Sequence, residues 1–169
     1  GLRMDEGGTL AESGNVSDTV LNNLMSGESY FHRVPPKSLD RDDFRHWGLA
    51  VADLSDEDAV ATLTAATAGA IANAITHCPT PLTRILVTGG GRKNPTMMDM
   101  TKSLVECPID SVEEVGLDGD MLEAQAFAYL AVRVMRGMPT SAPGTTGVAA
   151  PVGGGQISRP GELSVKSTG

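Results

Sequence analysis

Apolar residues recur at three- and four-residue steps in five stretches of this 169-residue chain, and each stretch predicts a helix with one buried side. The first begins at Ser17, a suitable N-cap, and turns Val20, Leu21, Leu24 and Met25 inward. A second short helix is expected over residues 40–47. The third has the strongest pattern, with Val60, Leu63, Thr67, Ala70, Ile71, Ala74 and Ile75 as its stripe. Ser55-Asp56-Glu57-Asp58 stands before it with capping-box spacing, Asp58 taking the place of the usual Glu. Its many alanines suit close approach to a neighbour, and Cys78-Pro79-Thr80-Pro81 stops it. Residues 5–8 and 13–15 read as turns, and Pro35-Pro36 imposes extended backbone on the irregular stretch 30–37.

The pattern then changes. Arg84-Ile85-Leu86-Val87-Thr88 is a short apolar run of the kind found in strands buried on both faces. It leads into Gly89-Gly90-Gly91-Arg92-Lys93-Asn94 and at once into a fourth helix, with Asn94 as N-cap and Pro95 at the first helical position. Met97, Met98, Thr101, Leu104 and Val105 make its inward stripe. A second strand over residues 111–115 completes a strand–helix–strand unit, which requires a parallel pair and a right-handed crossover. The fifth helix, from about residue 119 to 136, is apolar round most of its circumference. Beyond it Gly, Pro, Ser and Thr dominate, so residues 137–160 are expected to form an ordered, irregular wrap and 161–169 a disordered tail. The fold expected is α/β, helix-dominated, with an incomplete sheet.

Composition narrows the classes. With 13 basic and 21 acidic residues the formal charge is −8, which argues against nucleic acid as a main partner. Aromatic residues are only 4% of the chain, so the core is expected to consist of Ala, Val, Leu, Ile and Met. Cys78 and Cys107 make no disulfide framework and suit a reducing cytoplasm. No apolar run approaches the ~20 residues of a membrane span, and the first residues have no signal-peptide core.

Two places could carry chemistry. A glycine run between a buried strand and a helix N-terminus lets backbone approach an anion, with free N–H groups and a helix dipole behind it. The same run also fits a tight turn that needs positive φ. Neither the P-loop nor the dinucleotide fingerprint is met, since Asn94 stands where each needs another residue. The second place is Glu123, on the stripe of Ala126, Phe127, Leu130 and Val134. A carboxylate there sits at a pocket edge, or it is the N3 partner of a capping Asp120. His32, His46 and His77 lack metal-ligand spacing, no nucleophile elbow occurs, and Met97, Met98 and Met100 read as core filler.

Together these runs resemble a family. Leu86-Val87-Thr88-Gly89-Gly90-Gly91-Arg92-Lys93-Asn94-Pro95-Thr96-Met97-Met98 is similar to the adenosine-side motif of anhydro-N-acetylmuramic acid kinases. Asp118-Gly119-Asp120-Met121-Leu122-Glu123-Ala124-Gln125-Ala126-Phe127 resembles a second motif of theirs, and Thr145-Thr146-Gly147 a later one. Pro35-Pro36-Lys37-Ser38 and Asp5-Glu6-Gly7-Gly8 through Gly14 match upstream, so the resemblance is collinear over residues 5–160.

The resemblance implies a lobe of the actin/hexokinase-like (ribonuclease H-like) ATPases, here the C-terminal one, spanning residues 1–160. It implies ATP, with Mg2+, as cofactor and an anhydro amino sugar as substrate. The reaction opens the 1,6-anhydro bridge with water and phosphorylates O6, giving N-acetylmuramic acid 6-phosphate in cytoplasmic cell-wall recycling. Gly89, Gly90, Gly91 and Asn94 would lie along the nucleotide, and Glu123 would face the nucleotide–sugar cleft. The family's Asp-Thr-Gly-Pro-Gly-Asn segment, which carries the catalytic base, does not occur in this sequence. Its place would precede Gly1, so no catalytic residue and no metal ligand is assigned, and the chain alone is expected to be inactive. Another sugar kinase of the superfamily, or a non-catalytic nucleotide-binding or structural domain, are the alternatives. An open sheet edge also points to a homodimer, or to a missing half of the chain.

Overall fold

The computed structural model describes residues 4–158, and the expected tail 161–169 and the last residues of the expected wrap lie outside them. Two compact units divide after Leu122.

The first unit is organised round one long helix. A 3-10 turn over Glu6–Gly8 runs into α1 (Thr9–Ser13), followed by α2 (Asp18–Gly27), α3 (Ser29–His32) and α4 (Arg45–Ala50). The central helix is α5 (Asp56–Ile75), against which α1, α2 and α3 pack. Its first turn carries Asp56, Glu57 and Asp58, which favour the positive end of the helix dipole, and the Ser55 side chain accepts from the Asp58 N–H at 3.2 Å. The expected reciprocal bond from Asp58 is not made. Asp58 instead accepts from the Asn15 N–H at 2.6 Å, because α1 ends directly over the start of α5. The expected stripe is also displaced: the buried positions are Ala61, Thr62, Ala66 and Ala68, while Thr67 and Ala74 are exposed. Close approach by helices on several sides selects the smallest side chains rather than the most apolar ones.

The second short helix begins at its expected place, where Asp40 caps a 3-10 turn over Arg41–Phe44 through a full capping box. It runs on as α4 beyond the expected end. A core of aliphatic residues alone is corrected as well. Leu24, Phe31, Trp47 and Ala66 form the buried cluster, with Tyr30 and Phe44 beside it. Phe44 and Trp47 meet edge to face at 4.9 Å between centroids, and Phe31 lies 6.0 Å from Trp47. The aromatic residues are few, but four of the six are gathered in one place.

The strand–helix–strand unit is present: β1 (Ile85–Val87), α6 (Pro95–Leu104) and β2 (Ile109–Ser111), with β1 and β2 parallel in register Ile85 to Ile109 and Val87 to Ser111. The second strand thus precedes the expected span, and Val112–Val115 is a 3-10 turn instead. Nor is β1 buried on both faces, since Leu86 is 39% exposed. Among the described residues the sheet has only these two strands. On α6, Met98 and Thr101 are buried as expected, whereas Leu104 is exposed.

Among the described residues α5 alone is long and apolar enough, by length and composition, to cross a membrane. Its packing against α1, α2 and α6 and its three N-terminal acids are those of a core helix.

The second unit holds all but the first residue of α7 (Leu122–Met135), which is shorter at both ends than expected, and an irregular segment folded on it. Gly137, at φ +63°, closes α7, and the Met138 N–H reaches back to the Arg133 carbonyl in a Schellman-type end. The Arg133 side chain donates to the Pro139 carbonyl and to the Tyr129 hydroxyl. The segment then turns through α8 (Pro143–Thr146) and returns by a bridge between Ser141 and Val152. Leu130 and Val134 are half-buried by this wrap, while Phe127 remains 65% exposed.

Candidate nucleotide-binding turn

The parallel pair brings the C-terminal ends of β1 and β2 side by side, with the glycine turn directly beyond β1. Beyond β1, Gly89 adopts φ +75° and ψ −174°, a conformation confined to glycine. The tight-turn reading of the glycine run is therefore met at Gly89. Its N–H donates to the Gly119 carbonyl at 3.3 Å, and the Thr88 hydroxyl donates to the same oxygen at 3.2 Å. Gly90–Lys93 forms a single 3-10 turn. At Gly89 and Gly90 a side chain would meet open space, with no atom within 4 Å. Among the described residues, no partner is found for the N–H groups of Gly90 and Gly91. Backbone donors at an open glycine turn can hold an anion without a single lysine.

Asn94 has a structural task in the same place. Its side chain accepts from the Met97 N–H at 2.9 Å, capping α6 with Pro95 at the first position, as the sequence predicts. The amide also lies against Gly8 at the start of the chain, whose carbonyl accepts from the Thr96 hydroxyl at 2.9 Å.

A group of charges that sequence reasoning did not single out sits on the inner side of the turn. The Arg92 side chain is only 6% exposed. Its Nη1 donates to the Gly89 carbonyl at 2.8 Å and to Asp120 at 3.0 Å, and its Nε donates to Glu113 at 2.9 Å. Glu113 accepts in addition from the Gly119 N–H. Lys93, largely exposed, reaches the other oxygen of Asp120 at 2.8 Å. The Arg92 guanidinium holds both carboxyls, Glu113 and Asp120, down to about 2, while the two carboxylates raise the Arg92 pKa further. A signal for this cluster existed: residues just past the ends of two parallel strands must meet, and these residues are a basic pair and several acids.

The capping role considered for Asp120 is corrected. Asp120 is engaged by Arg92 and Lys93, and it is Asp118 that accepts from the N–H groups of Asp120 and Met121 ahead of α7. Glu123 belongs to the second unit, where its side chain is exposed at the start of α7. The structure thus gathers Gly89, Gly90, Gly91 and Asn94 into one loop, and places Glu123 in the other unit. No group of three or more His, Cys, Asp or Glu among the described residues is arranged to hold a metal ion.

Fold and turn together define a helix-dominated α/β protein with a strand–glycine-turn–helix element. The family profile described as anhydro-N-acetylmuramic acid kinase matches residues 1–159, and the chain belongs to that family. It is 58% identical over 165 residues to the anhydro-N-acetylmuramic acid kinase of Roseobacter denitrificans, covering 98% of this chain and 44% of that relative. The kinase of the same name from Ruegeria sp. is 56% identical over 168 residues, 99% of this chain and 44% of its own length. That of Cereibacter sphaeroides is 57% identical over 166 residues, again covering 44% of the relative. The chain therefore spans less than half the length of these curated relatives.

Proposed function

We propose that this chain supplies the adenosine-side lobe of an ATP-dependent kinase acting on 1,6-anhydro-N-acetylmuramic acid, in an actin/hexokinase-like architecture and in the cytoplasm. The observation that carries the reading is the open glycine turn with two N–H groups that have no partner among the described residues, in a chain of this family. In the reaction, water adds to C1 of the sugar, the C1–O6 bond breaks, and O6 takes the γ-phosphoryl group of ATP. The products are N-acetylmuramic acid 6-phosphate and ADP.

Gly89, Gly90 and Gly91 let the nucleotide approach the backbone, and the Gly90 and Gly91 N–H groups meet its negative charge. Asn94 presents the N-terminus of α6 to the same ligand while capping it. Mg2+ enters with the nucleotide, bound by its phosphates. Glu123 faces the sugar side. None of these residues is given the role of activating water, and the chain alone turns over no anhydro sugar.

Titration of the 169-residue chain with MgATP tests the first part, and a coupled assay of ADP release with the anhydro sugar tests the second. Saturable ATP binding without sugar-dependent turnover is expected. A folded chain that binds no ATP would leave a structural role, and robust turnover would overturn the assignment of the base elsewhere.

A further inference from the structure

We propose that Arg92 is the positioning residue of the glycine turn: tied at once to the Gly89 carbonyl, Glu113 and Asp120, it holds Gly89–Gly91 in the shape that leaves the Gly90 and Gly91 N–H groups free. The inference rests on the nucleotide reading above and names the side chain that would pre-form that site.

The geometry separates Arg92 from its neighbour Lys93. Both meet Asp120, on different oxygens. Lys93 is 61% exposed and makes that single contact among the described residues, so water competes with it. Arg92 is almost wholly covered and makes four donor contacts, one of them to the backbone of the turn itself. A planar fork of donors can bridge a carbonyl and two carboxylates in a way that a lysine ammonium cannot. Glu113 is anchored in turn, since it accepts from the Gly119 N–H, and the Gly119 carbonyl accepts from Gly89. This closes a ring from Gly89 through Arg92, Glu113 and Gly119 back to Gly89. The space at Gly119 is filled by this arrangement: a Cβ there would stand 2.7 Å from Arg92 Cζ and 2.9 Å from Glu113 Oε1. The positive charge of Arg92 is spent on the two carboxylates, so it does not serve as the phosphate ligand. Its effect on a nucleotide passes through the backbone it fixes.

The test uses the 15N-labelled 169-residue chain with Arg92→Gln, Arg92→Lys and, as a contrast, Lys93→Ala. Amide exchange at Gly89, whose N–H is bonded inside the ring, is read against amides of α5, and MgATP affinity is read in parallel. Expected for both Arg92 variants is at least tenfold faster Gly89 exchange with α5 unchanged, and at least tenfold weaker ATP binding. Lys93→Ala should stay within twofold on both. Unchanged Gly89 exchange in the folded Arg92→Lys chain, or full ATP affinity in it, would overturn the proposal. Should Arg92→Gln not fold, Arg92→Lys decides alone. Should the parent chain bind no ATP, the nucleotide reading fails, and Gly89 exchange still decides whether Arg92 holds the turn.

Discussion

Gly8 and Asn94 lie 86 positions apart in sequence and in contact in space: a Cβ added to Gly8 would overlap the Asn94 side-chain oxygen and stand 2.8 Å from Thr96 Oγ1. Gly8 also sits at φ +73°, where other residues are strained. Gly8→Ala should therefore lower the unfolding free energy by about 1–3 kcal/mol, combining the conformational and steric costs. A urea melt checks this; an unchanged midpoint would show that the chain start is not held against α6.

Asn94 offers a separation of structural and ligand roles. Asn94→Ala should cost about 1 kcal/mol through the lost cap of α6. Asn94→Asp keeps the cap and adds a negative charge at the mouth of the glycine turn. It should melt with the parent but bind ATP several-fold more weakly, as read by calorimetric titration. Equal affinity in the two chains would remove Asn94 from the nucleotide site.

Thr62 is wholly buried, donates to the Asp58 carbonyl at 2.7 Å and accepts from the Ser17 N–H at 3.0 Å. Thr62→Val keeps the shape and leaves the Ser17 N–H without its acceptor. A loss of about 1–3 kcal/mol is expected in chemical denaturation. A neutral result would mean that water reaches Ser17 in its place.

Acid should loosen the turn. Glu113 and Asp120 have pKa values lowered from 4.5 and 3.8 to about 2 by Arg92, so they are ionised in the folded chain where the unfolded chain takes up protons. Their contribution is present above about pH 4.5 and is lost as pH falls towards 2. Arg92→Gln should flatten this part of the stability–pH curve. Both carboxylates are substantially exposed, so the effect is expected to weaken in high salt.

Features whose causes are local in sequence were legible. The Asn94-Pro95 start of α6, the Ser55 cap of α5 and the parallel pairing of β1 with β2 each follow from residues within a few positions, or from the length of one connection. The register of β2 was not legible. Val112 and Val115 offer apolar positions past the strand, and only the bond from the Ile85 N–H to the Pro108 carbonyl shows where pairing starts. Asp58 and Asp120 show the same limit from the polar side. Each had a plausible partner nearby, and each is taken by a residue distant in sequence, Asn15 in one case and Arg92 in the other.

The sequence by itself determined the family, the strand–helix–strand unit and the glycine turn after β1, because motifs, caps and forbidden backbone conformations are properties of short segments. Tertiary structure decided which side of α5 is buried, where the few aromatic residues gather, and that Arg92 rather than Lys93 is drawn inward. Those outcomes depend on what arrives from elsewhere in the chain. Covering Arg92 is tolerable only because two carboxylates and a carbonyl meet it there, and no short stretch of sequence contains all four groups.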